Sequence, residues 1–392
     1  MLKPNKLSFA IISSLMLTQA SITYAGALEE SIADGKASIN VRYRYEGVDD
    51  SVNKDAQAST LRTRLGFTTS DKLDLSAHMD FEHVTRAGPP DYNSTQNGQI
   101  DYAKVVDPMV AELNQAYLKY SGLSGTDLIL GRQRIILDNA RFVGNVGWRQ
   151  NEQTFDAFRF DGKYGKDFFI TYANIQKVLT ITGGADYSNH NLINLGMDNL
   201  AGGKLTAYAY LLDYDVITDT STYGARYKGA ASNFLYTLEY AVQGDYADNT
   251  TSFSAPYMFG ELGYKFGKTL KAFVAYESLG SDGGTVAFQT PLATKHAFNG
   301  WADKFLSTPA TGLNDAYVKM EGMAGGVKLV GVYHDFSADE GSADYGTEID
   351  LLAVKKFNKT FTGLIKYSDY SADTFSQDTS KIWLQLTMNL QS

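Results

Sequence analysis

Apolar and polar residues alternate with a period of two along most of the chain. In the stretch SINVRYRYEG, Ile39, Val41 and Tyr43 fall on one face of an extended strand, and Arg42 and Arg44 fall on the other. The stretches LDLSAHMDFE and KIWLQLTMNL follow the same rule, and no convincing helix-period run follows residue 26. Because successive side chains of a strand point to opposite faces, this pattern predicts an all-β protein.

The alternation divides the chain into about eighteen candidate strands of about ten residues, the length that a tilted membrane strand needs. The fourth, fifth and eighth of them do not settle which face is apolar. The predicted strands cover residues 36–47, 59–69, 72–83, 111–120, 127–136, 154–161, 167–176, 189–197, 204–212, 221–229, 234–243, 257–266, 269–279, 315–322, 326–336, 347–356, 360–370 and 380–390.

The connections between these strands alternate between short and long. The even-numbered ones are tight turns with the sequences TSDK, SGLSGT, GKYGK, DNLAGG, AASN, GK, MAGG and FNK. The odd-numbered ones are long, polar or acidic, and cover residues 48–58, 84–110, 137–153, 177–188, 213–220, 244–256, 280–314, 337–346 and 371–379. Short turns at one end and long loops at the other are typical of an outer-membrane β-barrel.

A soluble β-protein would also alternate, but strand length, the regular connections and the 26 Tyr and 21 Phe residues favour the barrel. Lipid offers no water to free backbone groups, so a membrane sheet must close on itself. We therefore predict a transmembrane antiparallel β-barrel of about 18 strands, with short periplasmic turns and long extracellular loops. Its outward side chains would be apolar and its inward ones polar or charged.

The first residues are typical of a secretory signal. Lys3 and Lys6 precede an apolar run that is too short to span a membrane, and small residues precede a cleavage site near Ala25. We predict that residues 1–25 are a signal peptide and that residues 26–392 form a single barrel domain in the outer membrane of a Gram-negative cell. The expected partners are outer-membrane lipid, lipopolysaccharide and the barrel-assembly machinery.

Charge and composition exclude several functions. Without Lys3 and Lys6, 33 basic residues remain against 44 acidic ones, a net charge of −11, which argues against a nucleic-acid partner. The chain has no cysteine, so disulfides and thiol chemistry are excluded. Acidic runs such as SADEGSADYGTE lack the spacing of a calcium loop, so we expect solvated loops rather than ion sites and no cofactor.

A barrel of this size has a lumen too wide for its own side chains to fill, so the default function is a channel. Four arginines on the first two strands would point into that lumen as close neighbours: Arg42, Arg44, Arg62 and Arg64. Rings of basic side chains favour anions in a pore. Equally, these arginines could form a salt-bridge lattice with inward acids such as Glu46, Asp80 and Glu82, and the two roles are compatible.

A motif-rich stretch follows on residues 131–160. Its elements GRQ, LDN, RFVG and WRQNEQTFDA, with LNQAYLKY upstream and RYRYE near the start, resemble the signature of the alginate export family of outer-membrane porins. The resemblance is specific over residues 111–161 and rests on strand layout elsewhere. It implies an eighteen-stranded barrel, and pore-lining or loop-folding roles for Arg132, Arg134, Asn139, Arg141, Arg149, Gln150, Asn151, Asp156 and Arg159.

Three features depart from the family. The eighth turn, FNK, is short, the chain ends in NLQS without a terminal aromatic residue, and later strands carry inward acids such as Glu239, Glu261 and Glu277. We therefore expect a passive channel for anionic, carboxylate- or uronate-type solutes, narrowed by the loop at 137–153. A uronate polymer remains a possible solute.

The rival interpretations are a general diffusion porin, a non-conducting adhesin barrel and an outer-membrane enzyme. Ser76, His78 and Asp80 form a nominal catalytic set, but residues two apart on one strand point in parallel and lie about 7 Å apart. No GxSxG motif occurs. We therefore expect no catalysis.

Overall fold

The structure is a computed structural model that describes residues 23–392. The predicted signal peptide lies outside these residues, apart from positions 23–25. A helix, α1 (Thr23–Ala33), leads into eighteen barrel strands. In chain order these are β1 (Lys36–Asp49), β2 (Ala56–Thr68), β3 (Leu75–Arg86), β4 (Val110–Leu123), β5 (Thr126–Gln133), β6 (Thr154–Tyr164), β7 (Phe168–Leu179), β8 (Ala185–Leu200), β9 (Gly203–Leu212), β10 (Thr220–Ala231), β11 (Phe234–Asp245), β12 (Ser254–Phe266), β13 (Leu270–Leu279), β14 (Leu313–Ala324), β15 (Val327–Ser337), β16 (Asp344–Lys356), β17 (Phe361–Ala372) and β18 (Thr379–Gln391).

Each strand pairs antiparallel with the next, and β1 also pairs with β18, so the sheet closes into a barrel without a free edge. The closing register sets Tyr43 opposite Leu386 and Arg44 opposite Gln385. Closure satisfies the backbone groups of every strand within the sheet, which a membrane environment requires. The predicted fold class and strand number are confirmed.

The two faces of the sheet differ as predicted. Large apolar side chains such as Met79, Leu118 and Val274 point outward and are more than half exposed. Charged side chains such as Arg44 and Glu82 point inward and are fully buried. The apolar core also lies inside the barrel, where loop side chains pack against the inner wall.

The connections differ in one respect from the prediction. All eight short turns lie where the sequence placed them, but the predicted loop at 177–188 shrinks to residues 180–184 because β7 and β8 extend towards each other. Three connections are much longer than the others: L2 (residues 87–109), L3 (residues 134–153) and L7 (residues 280–312). L7 contains a small hairpin and a 3-10 helix, Lys295–Ala297.

Helix α1 was not predicted, because it is too short for a helical period to stand out. Its Ser31 hydroxyl donates to the Ser70 carbonyl at 2.5 Å, and Asp34 pairs with Lys72 at 3.1 Å. The helix is thereby fixed beneath the turn between β2 and β3. Among residues 23–392, no helix is long and apolar enough to cross a membrane.

Candidate functional site

L3 and L7 meet inside the lumen. The Gly144 amide donates to the Leu292 carbonyl at 2.9 Å, and the Thr294 amide donates to the Ala140 carbonyl at 3.0 Å. A Cβ atom at Gly144 would lie 2.3 Å from the Thr294 hydroxyl, so only glycine allows this approach. We call the joined segments, residues 140–153 of L3 and 292–303 of L7, the plate.

The arginines of β1 hold the L3 half of the plate. Arg42 donates to the Gln150 side-chain carbonyl at 2.8 Å, to the Gly147 carbonyl at 3.1 Å and to the Arg149 carbonyl. Gln150 in turn donates to the Thr60 hydroxyl at 2.9 Å. Because these contacts reach backbone carbonyls, the guanidinium of Arg42 is committed to the loop rather than to a solute.

Glu152 is the second anchor of L3. Its carboxylate accepts hydrogen bonds at 2.6 Å from Asn114 of β4, from Asn145 of L3 and from Arg134, and it lies 3.0 Å from a guanidinium nitrogen of Arg64. Burial opposes its ionisation, but Arg64 and Arg134 outweigh burial and lower the pKa of Glu152 to about 2. The side chain is therefore ionised and fully partnered.

Arg149 links the two loops to the wall. Its guanidinium lies 3.0 Å from Glu46 of β1 and 2.9 Å from Asp303 of L7, and Asp303 also pairs with Lys381 of β18 at 3.0 Å. Both carboxylates and the guanidinium are nearly inaccessible. This chain of alternating charges joins β1, L3, L7 and β18.

The acids of the later strands hold the L7 half of the plate. Glu277 accepts from Arg141 and from Asn299, each at 2.7 Å. Glu348 accepts from the backbone amides of Trp301 at 2.5 Å and Ala302 at 2.7 Å. The plate is therefore fixed between a basic wall on β1 and β2 and an acidic wall on β13 to β16.

Two polar cavities lie on either side of the plate. The outer cavity, towards the long loops, has a volume of about 310 Å³, and its charged lining residues are Asp50, Lys104, Arg149, Asp303, Lys304 and Lys381. The inner cavity has a volume of about 280 Å³, and its lining includes Asn139, Arg226, Lys228, Tyr257, Glu261, Phe298, Trp301, Tyr317, Lys319 and His334.

Lysines without an acidic partner line the short-turn end of the lumen. Lys204 faces Lys228 across β9 and β10, and Lys265 faces Lys271 across β12 and β13. These four share the inward face of buried residues such as Phe273. In the described part of the chain, none of the four has a carboxylate oxygen within the 4.0 Å of a salt bridge. The sequence analysis overlooked them.

A family model describes most of this architecture. Residues 33–278 match the model for alginate export. The chain belongs to the alginate export family. Together with the closed barrel, this places the protein in the outer membrane, with a porin fold and its long loops outside the cell. No curated protein matches the sequence.

Solved porins share the fold of this alginate export family member. OccK9 (OpdG) of Pseudomonas aeruginosa superposes with a TM-score of 0.72 at 12% identity, covering 92% of this chain and 100% of its own. OccAB4 of Acinetobacter baumannii gives 0.68 at 14% identity, covering 92% and 98%. OpdK of Pseudomonas aeruginosa with vanillate gives 0.71 at 11% identity, covering 92% and 100%. At these identities the likeness concerns the fold.

The site residues predicted from the sequence lie in three different environments. Arg42, Arg44, Arg62, Arg64, Arg134, Arg141, Arg149, Gln150 and Asn151 lie inside the barrel and are committed to contacts with the plate, the wall or neighbouring loops. Arg159 pairs with Asp161 on the inner wall, and Asn139 lines the inner cavity. Arg132 and Asp156 lie on the outward face.

The placement of Arg132 and Asp156 corrects the prediction that they line the pore. Arg132 shares the face of Leu130, which is exposed towards lipid, and pairs with Asp156 at 2.8 Å. Asp156 shares the outward face of Phe158 by simple alternation, so the period of two itself places it outside the lumen and only the family resemblance assigned it to the pore.

We expect Arg132→Ala to leave ion selectivity unchanged, because its charge does not reach the lumen. Stability should fall by no more than about 1 kcal/mol, since the pair is part-exposed. Reversal potentials and thermal denaturation in detergent measure the two effects. Arg64→Ala is the inward comparison, and a selectivity change with Arg132→Ala alone would contradict the outward placement.

The nominal set of Ser76, His78 and Asp80 is not joined by hydrogen bonds between its members. His78 contacts the Thr68 hydroxyl at 2.7 Å and packs at a tilt against the Tyr117 ring, and Asp80 lies near Arg64 at 3.6 Å and Arg134 at 3.3 Å. The nominal set with Ser76 therefore has no proton relay. Within residues 23–392, no group of three or more His, Asp or Glu side chains is arranged to hold a metal ion.

Proposed function

We propose that the protein is a passive channel for small anionic solutes, carboxylates above all. The observation that carries this proposal is the set of inward lysines without acidic partners, Lys204, Lys228, Lys265 and Lys271. Their ammonium groups are free to attract an anion, whereas the inward arginines are held by acids and carbonyls. Porin fold and family membership favour a channel over an enzyme.

The arginines and lysines have different parts in this mechanism. The arginines stabilise the plate, because a planar guanidinium bridges several acceptors at once. The lysines raise the local concentration of anions in the lumen and at its periplasmic mouth. Diffusion down a concentration gradient then needs no energy source.

The plate and the inner cavity favour a small solute over a polymer. A cavity of about 280 Å³ suits a compact molecule, and its lining combines Lys228, which has no acidic partner, with the rings of Tyr257 and Phe298. Lys319 of the same lining is paired with Glu261 at 3.1 Å. Vanillate, the compound in the OpdK structure, is an aromatic carboxylate. An aromatic carboxylate would satisfy both the basic and the aromatic side chains here.

Changing Lys204, Lys228, Lys265 and Lys271 to glutamine tests the proposal. We expect the anion-to-cation permeability ratio to fall on the order of tenfold, because focusing by lumen charge is lost. The measurement is the reversal potential across a planar bilayer in a salt gradient. Lys355→Gln with Lys268→Gln is the control, since Lys355 points outward and Lys268 lies in a turn. Cation preference in the unaltered protein would overturn the proposal.

A further inference from the structure

All three tryptophans of the chain surround one buried ammonium group. The Lys366 nitrogen lies 3.7 Å from the ring centre of Trp301, 4.2 Å from that of Trp148 and 5.3 Å from that of Trp383. Such contacts stabilise a cation where little water is available. The cluster joins Trp148 of L3, Trp301 of L7 and the wall strands β17 and β18.

His296 completes this cluster from L7. Its ring stacks on Trp148 with centres 4.6 Å apart and an angle of 11°. Its Nδ1 atom lies 2.7 Å from a carboxylate oxygen of Asp303, and its Nε2 atom lies 2.6 Å from the Lys366 nitrogen. Both ring nitrogens are therefore engaged, and His296 is buried.

The contact between His296 and Lys366 limits how many protons the two nitrogens can hold. Two nitrogens 2.6 Å apart share a hydrogen bond only if one of them presents a lone pair. With Lys366 charged, the His296 Nε2 atom accepts from it and the Nδ1–H group donates to Asp303. Adding a second proton to the ring would place two N–H donors, and two positive charges, against each other.

We propose that this cluster, which we call the latch, is acid-sensitive: protonation of His296 releases the L7 half of the plate from β17 and widens the lumen. His296 and Lys366, the two latch residues on which the test rests, line neither of the two cavities of the proposed anion path. Only its conductance readout depends on the protein being a channel.

The surrounding charges do not stabilise a protonated His296 ring. Lys366 of β17 faces it directly, and Arg44 of β1 lies over the Trp148 ring on which it stacks. Asp303 favours the imidazolium, but that carboxylate is already shared with Arg149 of L3 and Lys381 of β18. Glu46 of β1 pairs with Arg149, and Glu348 and Asp350 of β16 act electrostatically on Lys366. Asp303 is the one acid that contacts the His296 ring, and protonation adds a positive charge directly opposite the Lys366 nitrogen.

The sign of the pH dependence follows from this environment. Burial lowers the pKa of His296 well below its usual value, Asp303 opposes that shift, and Lys366 adds to it. A lowered pKa means that the latched state is fully favoured above about pH 6.5, the ordinary histidine value, and loses stability as the pH falls below it. The ratio of released to latched molecules can rise up to tenfold for each pH unit while one proton is taken up.

L3 should stay docked over the same pH range. The lowered pKa of Glu152, about 2, keeps that anchor ionised well below the histidine range. The stabilisation by Glu152 is present above its ordinary value and is lost only as the pH falls towards 2. Between pH 6.5 and pH 5, only L7 should be released from the barrel wall, and L3 should stay docked.

Tryptophan fluorescence tests the latch directly, because every tryptophan of the chain lies in it. Acrylamide quenching of the folded barrel in detergent should increase as the pH falls from 7.5 to 5. His296→Phe keeps the stack but cannot titrate, so its quenching should not change with pH. His78→Phe, the control, alters another inward histidine that packs against an aromatic ring, Tyr117, and should behave like the unaltered protein.

A second variant tests the latch independently in case His296→Phe does not fold. In Lys366→Met no ammonium group faces the Nε2 atom, so the acid-induced increase in quenching should be lost or much reduced. Far-UV circular dichroism shows whether each barrel is folded. A quenching constant independent of pH in the unaltered protein, or an unchanged pH response in folded His296→Phe, would overturn the proposal.

Conductance provides the functional readout. Single-channel conductance in a planar bilayer should rise over the same pH range in which quenching rises, and not in His296→Phe. A protein that shows the quenching response but no current at any pH would contradict the proposed channel function while leaving the latch supported. A channel whose conductance ignores pH, with unchanged quenching, would contradict the latch alone.

Discussion

Glu152→Ala will release L3 from the lumen wall. The substitution removes the carboxylate that Arg64, Arg134, Asn114 and Asn145 share, and leaves two guanidinium groups with less counter-charge. Breaking a buried ion pair by removing one partner costs about 3–5 kcal/mol. Local opening of L3 should become more populated by a factor of about a hundred or more, since each 1.4 kcal/mol is tenfold.

Trypsin reports this opening, because Arg141 and Arg149 of L3 are 3% and 7% exposed in the docked loop. Cleavage at these two sites should be slow in the unaltered barrel and fast in Glu152→Ala. Glu239→Gln is the control, because Glu239 is also a buried carboxylate paired with an arginine, Arg226, but touches no residue of the plate. Equal cleavage rates in all three proteins would show that Glu152 does not hold L3.

The fold was predictable because its signals are local. Alternation depends on neighbouring residues, and the turns carry residues that favour tight bends, such as Gly125 and Gly326 with their positive φ angles. A charged face such as that of Arg42 and Arg44 occurs in a barrel and in a soluble sheet alike, so strand length and the regular alternation of short and long connections separated the two. These features specify strands, turns and faces without any knowledge of distant contacts.

The site was less predictable because its contacts are distant in sequence. Arg42 meets Gln150, and Arg141 meets Glu277, through loop paths that no periodicity describes. Arg132 and Asp156 share the outward face of Leu130 and Phe158, so alternation contradicts the pore-lining role that the family resemblance implied for them. Of the two roles considered for the inward arginines, the structure shows the salt-bridge lattice.

The unpaired lysines had a signal that was not used. Lys204, Lys228, Lys265 and Lys271 each stand at an inward position of a predicted strand, near its periplasmic end. Counting inward charges strand by strand would have found them. The arginine-rich residues from which the site was predicted lie instead on β1, β2 and L3.

Gly300→Ala will detach L7 from the acidic wall. Gly300 has a φ of +81°, and a Cβ atom there would lie 2.3 Å from one carboxylate oxygen of Glu348 and 2.9 Å from the other. The same carboxylate accepts the amides of Trp301 and Ala302, so a displaced Glu348 loses both. Strain of about 1–3 kcal/mol adds to the loss of two hydrogen bonds, each worth about 0.5–1.5 kcal/mol.

Gly283→Ala separates the effect of backbone strain from the effect of a steric clash with Glu348. Gly283 also lies in L7 with a positive φ, +60°, but a Cβ atom there meets nothing within 4 Å. Both variants carry the backbone cost, and only Gly300→Ala displaces Glu348. We therefore expect higher single-channel conductance and stronger acrylamide quenching of tryptophan at pH 7.5 in Gly300→Ala, and neither in Gly283→Ala. If both variants behave alike, the anchor at Glu348 is not what holds L7 across the lumen.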